Sequence, residues 1–148
     1  MTRIETVRGL LTAIDEQQWD EARSYLTDDF TFGGAVPQPV GADVWLGLHK
    51  ELAAAMPDLR TNGSDIREEQ GVVRMYVQIT GTQTRALALS IPGVPVIEPT
   101  GKRVQLPKEA CTAEFRGDKI AAYSVKPRPD GGIPGVLAQL GAALPTHG

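Results

Sequence analysis

The sequence predicts an α+β fold in which helices pack on one face of a curved antiparallel sheet. Two periodicities carry that reading. Apolar residues recur three or four apart in Ile4–Ile14 and again in Trp45–Met56, which is helical spacing, and from Leu59 onward they alternate with polar residues, which is strand spacing. Length is the third observation: 148 residues suit one domain with its own core, expected over residues 1–148.

In the first helix Ile4, Val7, Leu11 and Ile14 form one stripe, with Arg8, Asp15 and Glu16 outside it. A shorter helix follows, with Ala22, Tyr25 and Leu26 inward, and ends at Thr27-Asp28-Asp29. Phe30-Thr31-Phe32 alternates as a short strand, and Gly33-Gly34 with Pro37 and Pro39 marks a loop. A third helix starts near Ala42-Asp43 and stops at Met56, because Pro57 cannot continue it. Its stripe is Trp45, Leu48, Leu52 and Met56, and His49 lies one turn beyond Trp45 on the same face.

Val73, Met75, Val77 and Ile79 then alternate with polar neighbours in a half-buried strand, with Leu59 to Glu68 as its partner across a turn at Glu69-Gln70-Gly71. The Pro-rich stretch from Ala86 to Pro99 reads as a long loop. Its Ile91, Val94, Val96 and Ile97 are apolar enough to cover a ligand or to bury a dimer contact. Val104 to Phe115 and Lys119 to Lys126 form a hairpin around Arg116-Gly117-Asp118. Residues 127–135 read as a linker, 136–144 as a terminal helix carrying Val136, Leu137, Leu140 and Leu144, and 145–148 as a tail.

Composition removes whole classes of function. Lys and Arg total 15 against 18 acidic residues, and no basic cluster exceeds Lys102-Arg103, so no nucleic-acid partner is expected. One cysteine and two histidines exclude a disulfide and any Cys- or His-rich metal site. No apolar run approaches 18 residues and the N-terminus has no signal-like stretch, so the expectation is a cytoplasmic protein with no membrane partner. Neither a G-x-G-x-x-G string nor a P-loop occurs, and no cofactor is expected.

Several strings, in order, carry a family likeness. They are Gln18-Trp19-Asp20, Tyr25-Leu26-Thr27-Asp28-Asp29-Phe30, Ala55-Met56-Pro57-Asp58-Leu59-Arg60, Thr80-Gly81-Thr82-Gln83-Thr84, Pro99-Thr100-Gly101-Lys102-Arg103-Val104, Gly117-Asp118-Lys119-Ile120 and Leu137-Ala138-Gln139-Leu140-Gly141. Together they resemble the SnoaL-like polyketide cyclases, or ester cyclases, of the nuclear transport factor 2-like superfamily. That resemblance implies a cone: a strongly bent sheet wrapped around helices, with a pocket at the open end and a homodimer through the outer sheet face. It also implies chemistry on a small hydrophobic ligand, since relatives isomerise ketosteroids, open epoxides, dehydrate phenols or close polyketide rings, while others only bind.

The family's acid/base Asp on the last strand corresponds to Val125 in this chain. The ketosteroid isomerase base would fall near Gly33-Gly34 and its oxyanion-hole acid near Cys111. None of these positions carries a carboxylate.

Strand parity supplies other candidates. Glu109, Cys111, Ala113 and Phe115 share one strand face, and Ala121, Tyr123 and Val125 share another. Glu109, Tyr123 and His49 can therefore project into one cavity, walled by Trp45, Leu48, Leu52, Phe32, Cys111, Ala113 and Val125. A carboxylate enclosed without a cation suits proton transfer, an imidazole shares the proton or orients a carbonyl, and a phenol donates to an oxyanion. Each residue also has a structural reading: His49 as a core histidine bonded to backbone, Glu109 as a sheet-edge residue paired with Lys108 or Lys126, Tyr123 as a core cap, and Cys111 as a small hydrophobe. Two function classes follow: a cofactor-independent cyclase, isomerase or hydrolase, or a non-catalytic binding or dimerisation module.

Overall fold

Thr2 opens the first helix, α1 (Arg3–Asp15), by accepting the Glu5 N–H on its side chain, a standard way to satisfy a free helix-terminal donor. This computed structural model describes residues 1–34, 36 and 38–142. Val7, Leu10, Leu11 and Ile14 turn inward from α1. The second helix, α2 (Trp19–Ser24), is shorter than its sequence suggests. Leu26 to Asp29 belong instead to the strand β1 (Leu26–Gly33). That strand pairs in parallel with β8 (Lys119–Val125), a long-range partnership that local spacing does not reveal.

A two-residue strand, β2 (Val40–Gly41), leads into α3 (Ala42–Ala55), which ends where Pro57 requires. The meander β3 (Ser64–Glu69) and β4 (Val72–Val77) follows. Leu59 to Gly63, expected as strand, is irregular: Asn62 holds a φ of 48°, a left-handed value that interrupts an extended run.

The expected strand from Val104 to Phe115 is two strands. Among the residues between them is Pro107, which has no N–H for a ladder. Before that break β6 (Arg103–Gln105) pairs with β5 (Thr80–Thr82) in a separate small sheet. After it β7 (Glu109–Arg116) joins the main sheet. The main sheet runs β2-β1-β8-β7-β4-β3, antiparallel except for the β1/β8 pair.

The linker expected over 127–135 is already helical at its end, since α4 spans Gly132–Gln139. Pro134 is tolerated there because the N–H groups of a helix's first turn have no partner within the helix. Leu144 and the 145–148 tail lie outside the described residues.

Two apolar clusters result. One joins α1, α2 and the start of α3 to the inner face of the main sheet around Phe30, Met75, Ala113 and Ile120. The other joins the end of α3 to Leu87, Val104, Leu106 and α4. The candidate site lies between them. No helix among the described residues is long and apolar enough to cross a membrane.

Candidate functional site

A cavity of about 130 Å³ opens where the two clusters meet. Its wall is largely apolar: Leu11 and Ile14 come from α1, Trp45, Leu48 and Leu52 from α3, Val77 from β4, and Val136 from α4. Phe32, Cys111 and Val125, expected on the wall, are there. Ala113 is not. It is fully buried in the core with Val7 and Leu10 of α1, because two residues along β7 from Cys111 the helix already covers the sheet.

Aromatic rings frame one side. Trp45 stacks on Phe32 at 5.6 Å and 20° between planes, and it meets Tyr123 at 5.0 Å. His49 meets the Trp45 ring edge-on at 5.0 Å.

The three polar residues proposed from parity and helical phase all line this one cavity. His49 is fixed by its own helix, with Nδ1 3.0 Å from the Trp45 carbonyl oxygen. A carbonyl can only accept, so Nδ1 carries the hydrogen and Nε2 keeps its lone pair. Burial holds the imidazole pKa below its ordinary value, against smaller opposing effects of the Trp45 carbonyl and Asp15. The backbone bond expected of a core histidine is therefore present, and it is also what leaves the other nitrogen a neutral base.

Glu109 is 9% exposed. β7 lies inside the sheet, between β4 and β8, so the residue is not at an edge. The expected pairing with Lys108 or Lys126 is absent: among the described residues no cation forms an ion pair with Glu109. Its Oε2 instead accepts the Arg128 N–H at 3.0 Å. Gly131 leaves room for this carboxylate, since a Cβ there would stand 2.7 Å from Oε2.

Tyr123 is buried, and desolvation pushes its pKa well above the ordinary phenol value, so the hydroxyl stays protonated. The neighbouring Cys111 thiol is likewise pushed up, to about 11, chiefly by burial. It donates weakly to the Glu109 carbonyl at 3.7 Å and is no nucleophile at neutral pH.

No hydrogen bond joins His49 to Glu109 among the described residues. They lie on different walls, His49 on the helix side and Glu109 on the sheet side.

Sequence reasoning missed part of the wall. Val77 and Ile79 carry a visible signal, because both belong to the apolar parity of their segment. Ile133 and Gly132 were hidden in an apparent linker. Thr61 also lines the cavity, and no periodicity marks it.

Among curated proteins none matches the chain. Solved structures with the same fold are numerous. AclR of Streptomyces galilaeus, described as a candidate hydroxylase, superposes with a TM-score of 0.71 at 20% identity, over 94% of this chain and 95% of that one. IdmH of Streptomyces antibioticus, described as a candidate polyketide cyclase, gives 0.66 at 21% identity over 84% and 91% of the two chains. A SnoaL-like polyketide cyclase from Agrobacterium tumefaciens gives 0.63 at 18% identity over 84% and 90%. These likenesses establish the cystatin-like cone. The family model for SnoaL-like polyketide cyclases matches residues 4–124, and on that match the chain belongs to the SnoaL-like polyketide cyclase family.

Proposed function

We propose that the protein is a cofactor-independent enzyme that moves a proton on a small hydrophobic carbonyl compound, with His49 as the base. The observation that carries this reading is the bond from His49 Nδ1 to the Trp45 carbonyl. It fixes the tautomer and leaves Nε2 as an unprotonated base on the wall of an apolar cavity.

In the step envisaged, Nε2 takes a proton from the carbon next to the ligand's carbonyl. The C–H electron pair moves into a C=C bond, and the carbonyl oxygen gains negative charge. Tyr123 donates its hydroxyl to that oxygen. A phenol kept protonated in a water-poor site stabilises an oxyanion better than water does. The imidazolium returns its proton to the same carbon or another one, giving exchange or isomerisation, or the enolate carbon attacks a second carbonyl of the ligand, closing a ring, and the imidazolium protonates the alkoxide that forms. Glu109 supplies a second acceptor from the sheet side. The sequence alone gave the proton to Glu109; the tautomer argument favours His49.

Acetophenone in D₂O tests this. The protein should speed deuterium uptake into the methyl group, and His49→Ala should lose at least about a hundredfold of that rate, in the range of one general base. Tight binding with no uptake above buffer would contradict the enzymatic reading.

A second reading has one specific support. Val125, at the position of the family's acid/base Asp, lines the cavity, which suits a domain that binds a hydrophobic metabolite without transforming it.

A further inference from the structure

Of the side chains that line the cavity, Glu109 is the only Asp, Glu, Lys or Arg. Burial keeps His49 from taking up a proton. The wall therefore carries one formal charge at neutral pH, and it is negative.

The chain leaves that charge uncompensated. Glu109 is 9% exposed, and its one side-chain hydrogen bond runs to Oε2, from the Arg128 N–H at 3.0 Å. Among the described residues the side-chain nitrogen and oxygen atoms that are both fully enclosed and partnerless are Arg3 Nε and Thr61 Oγ1. Glu109 Oε1 also lacks a partner there but is not one of those enclosed atoms, so it keeps accessible surface. Cations are close in the sequence and turn away: Lys108, Lys126 and Arg128 are all exposed, and none of them pairs with the carboxylate. A carboxylate taken out of water is costly unless a cation or several donors face it.

An aromatic wall accompanies the charge. Phe32, Trp45 and Tyr123 line the same cavity, with ring centres 5.0 to 6.1 Å apart, and such rings attract organic cations. Glu109 acts on this wall: burial is the main cause of the raised Tyr123 pKa, and the Glu109 charge adds to it. A metal ion is a poor occupant, because one carboxylate on an apolar wall gives it too few ligands. No group of three His, Cys, Asp or Glu that could hold one occurs among the described residues.

We infer that the cavity takes an organic cation, a protonated amine on a hydrophobic body, whose N–H donates to Glu109 Oε1 while its carbon skeleton meets the aromatic wall. This rests on the reading of the cavity as the substrate site, and it narrows the substrate class from hydrophobic carbonyl compounds to those that bear an amine. Glu109 is a positioning residue in this scheme, and His49 keeps the proton transfer. A neutral hydroxyl also donates to Oε1 but leaves the negative charge uncompensated, so it is the competing class.

The test compares phenethylamine, a cation at neutral pH, with phenethyl alcohol, its neutral counterpart of nearly the same shape. Each is titrated into the full chain and followed through tryptophan fluorescence. Wild type should bind the amine at least about tenfold more tightly, the worth of one hydrogen bond to a charged group. Glu109→Gln keeps the shape and an oxygen for the Arg128 N–H but removes the charge, and in it that preference should disappear.

Equal affinities in wild type, tighter binding of the alcohol, or binding of neither would overturn the cation class. A preference that persists in Glu109→Gln would overturn the role of Glu109 and assign the effect to the chain's overall negative charge. If Glu109→Gln does not fold, wild-type NMR decides. The Arg128 amide, bonded to the same carboxylate, should shift more with the amine than with the alcohol, and equal shifts would overturn the anchor. Deuterium uptake into acetophenone is read separately. An amine preference that depends on Glu109, with no uptake, leaves this inference standing while the proton-transfer reading fails; uptake with no amine preference does the reverse.

Discussion

Trp45 holds His49 from two directions, with its carbonyl on Nδ1 and its ring edge-on to the imidazole. A histidine whose folded-state pKa is depressed binds fewer protons folded than unfolded between that pKa and about 6.5. Its contribution to stability is therefore complete above about pH 6.5 and is lost as pH falls toward the depressed value. The melting temperature should drop between pH 7 and pH 5, and His49→Gln should flatten part of that drop. An equal slope in both proteins would show that the imidazole is not desolvated. Gly131 is the other residue with a sharp consequence. Gly131→Ala puts a methyl group where the Glu109 carboxylate now sits, so we expect loss of the Arg128 hydrogen bond and of about 1–3 kcal/mol, measurable by denaturation and by faster amide exchange at Arg128. At this scale the sequence was informative wherever geometry is periodic: strand parity put Glu109, Cys111 and Tyr123 on one wall, and helical phase added Trp45 and His49. It was silent on Thr61, whose place depends on two backbone bonds to residues 46 and 17 positions away in the chain.

Secondary-structure elements were legible where a breaker or a local period defined them. Pro57 ends α3, and the alternation from Val73 to Val77 is β4. Three features were not. β1 begins at Leu26 because β8 pairs with it, β6 leaves the main sheet because β5 pairs with it, and α4 starts at a glycine that resembles linker and packs on the second cluster. Each depends on a partner distant in sequence. The β1/β8 junction also gives a direct test. Gly34 has φ of 98°, and a Cβ there would lie 2.0 Å from the Val125 carbonyl oxygen. Gly34→Ala should thus force the end of β1 away from β8 and destabilise the fold by more than 2 kcal/mol, since strain and a backbone clash add; equilibrium denaturation reads it. For α4, Leu137 is completely buried in the second cluster. Leu137→Ala should cost about 2–5 kcal/mol and loosen the cavity wall formed by Val136. A loss below about 1 kcal/mol would mean that α4 is not packed as described.

On the scale of the molecule, the cavity exists because the two clusters do not merge. The bent main sheet closes one and the β5/β6 ribbon with α4 closes the other, leaving a gap lined by His49, Glu109 and Thr61 and, from the first cluster, Tyr123. The cone itself was legible from ordered strings along the chain, and the family match covers residues 4–124. The chemistry was less so, because the resemblance points to Val125 as the acid/base position, where no carboxylate stands, and the remaining polar groups converge only in three dimensions. A depressed histidine pKa and a raised tyrosine pKa in one apolar cavity describe a base that is free and an acid that stays protonated at the same neutral pH. The decisive measurement is the rate of deuterium uptake into acetophenone as a function of pH, for wild type and His49→Ala. The base assignment predicts a rate that rises through a pKa below 6.5, levels off toward neutral pH, and disappears in the variant. A rate that is unchanged in His49→Ala, or that keeps climbing with pH as buffer hydroxide does, would contradict it.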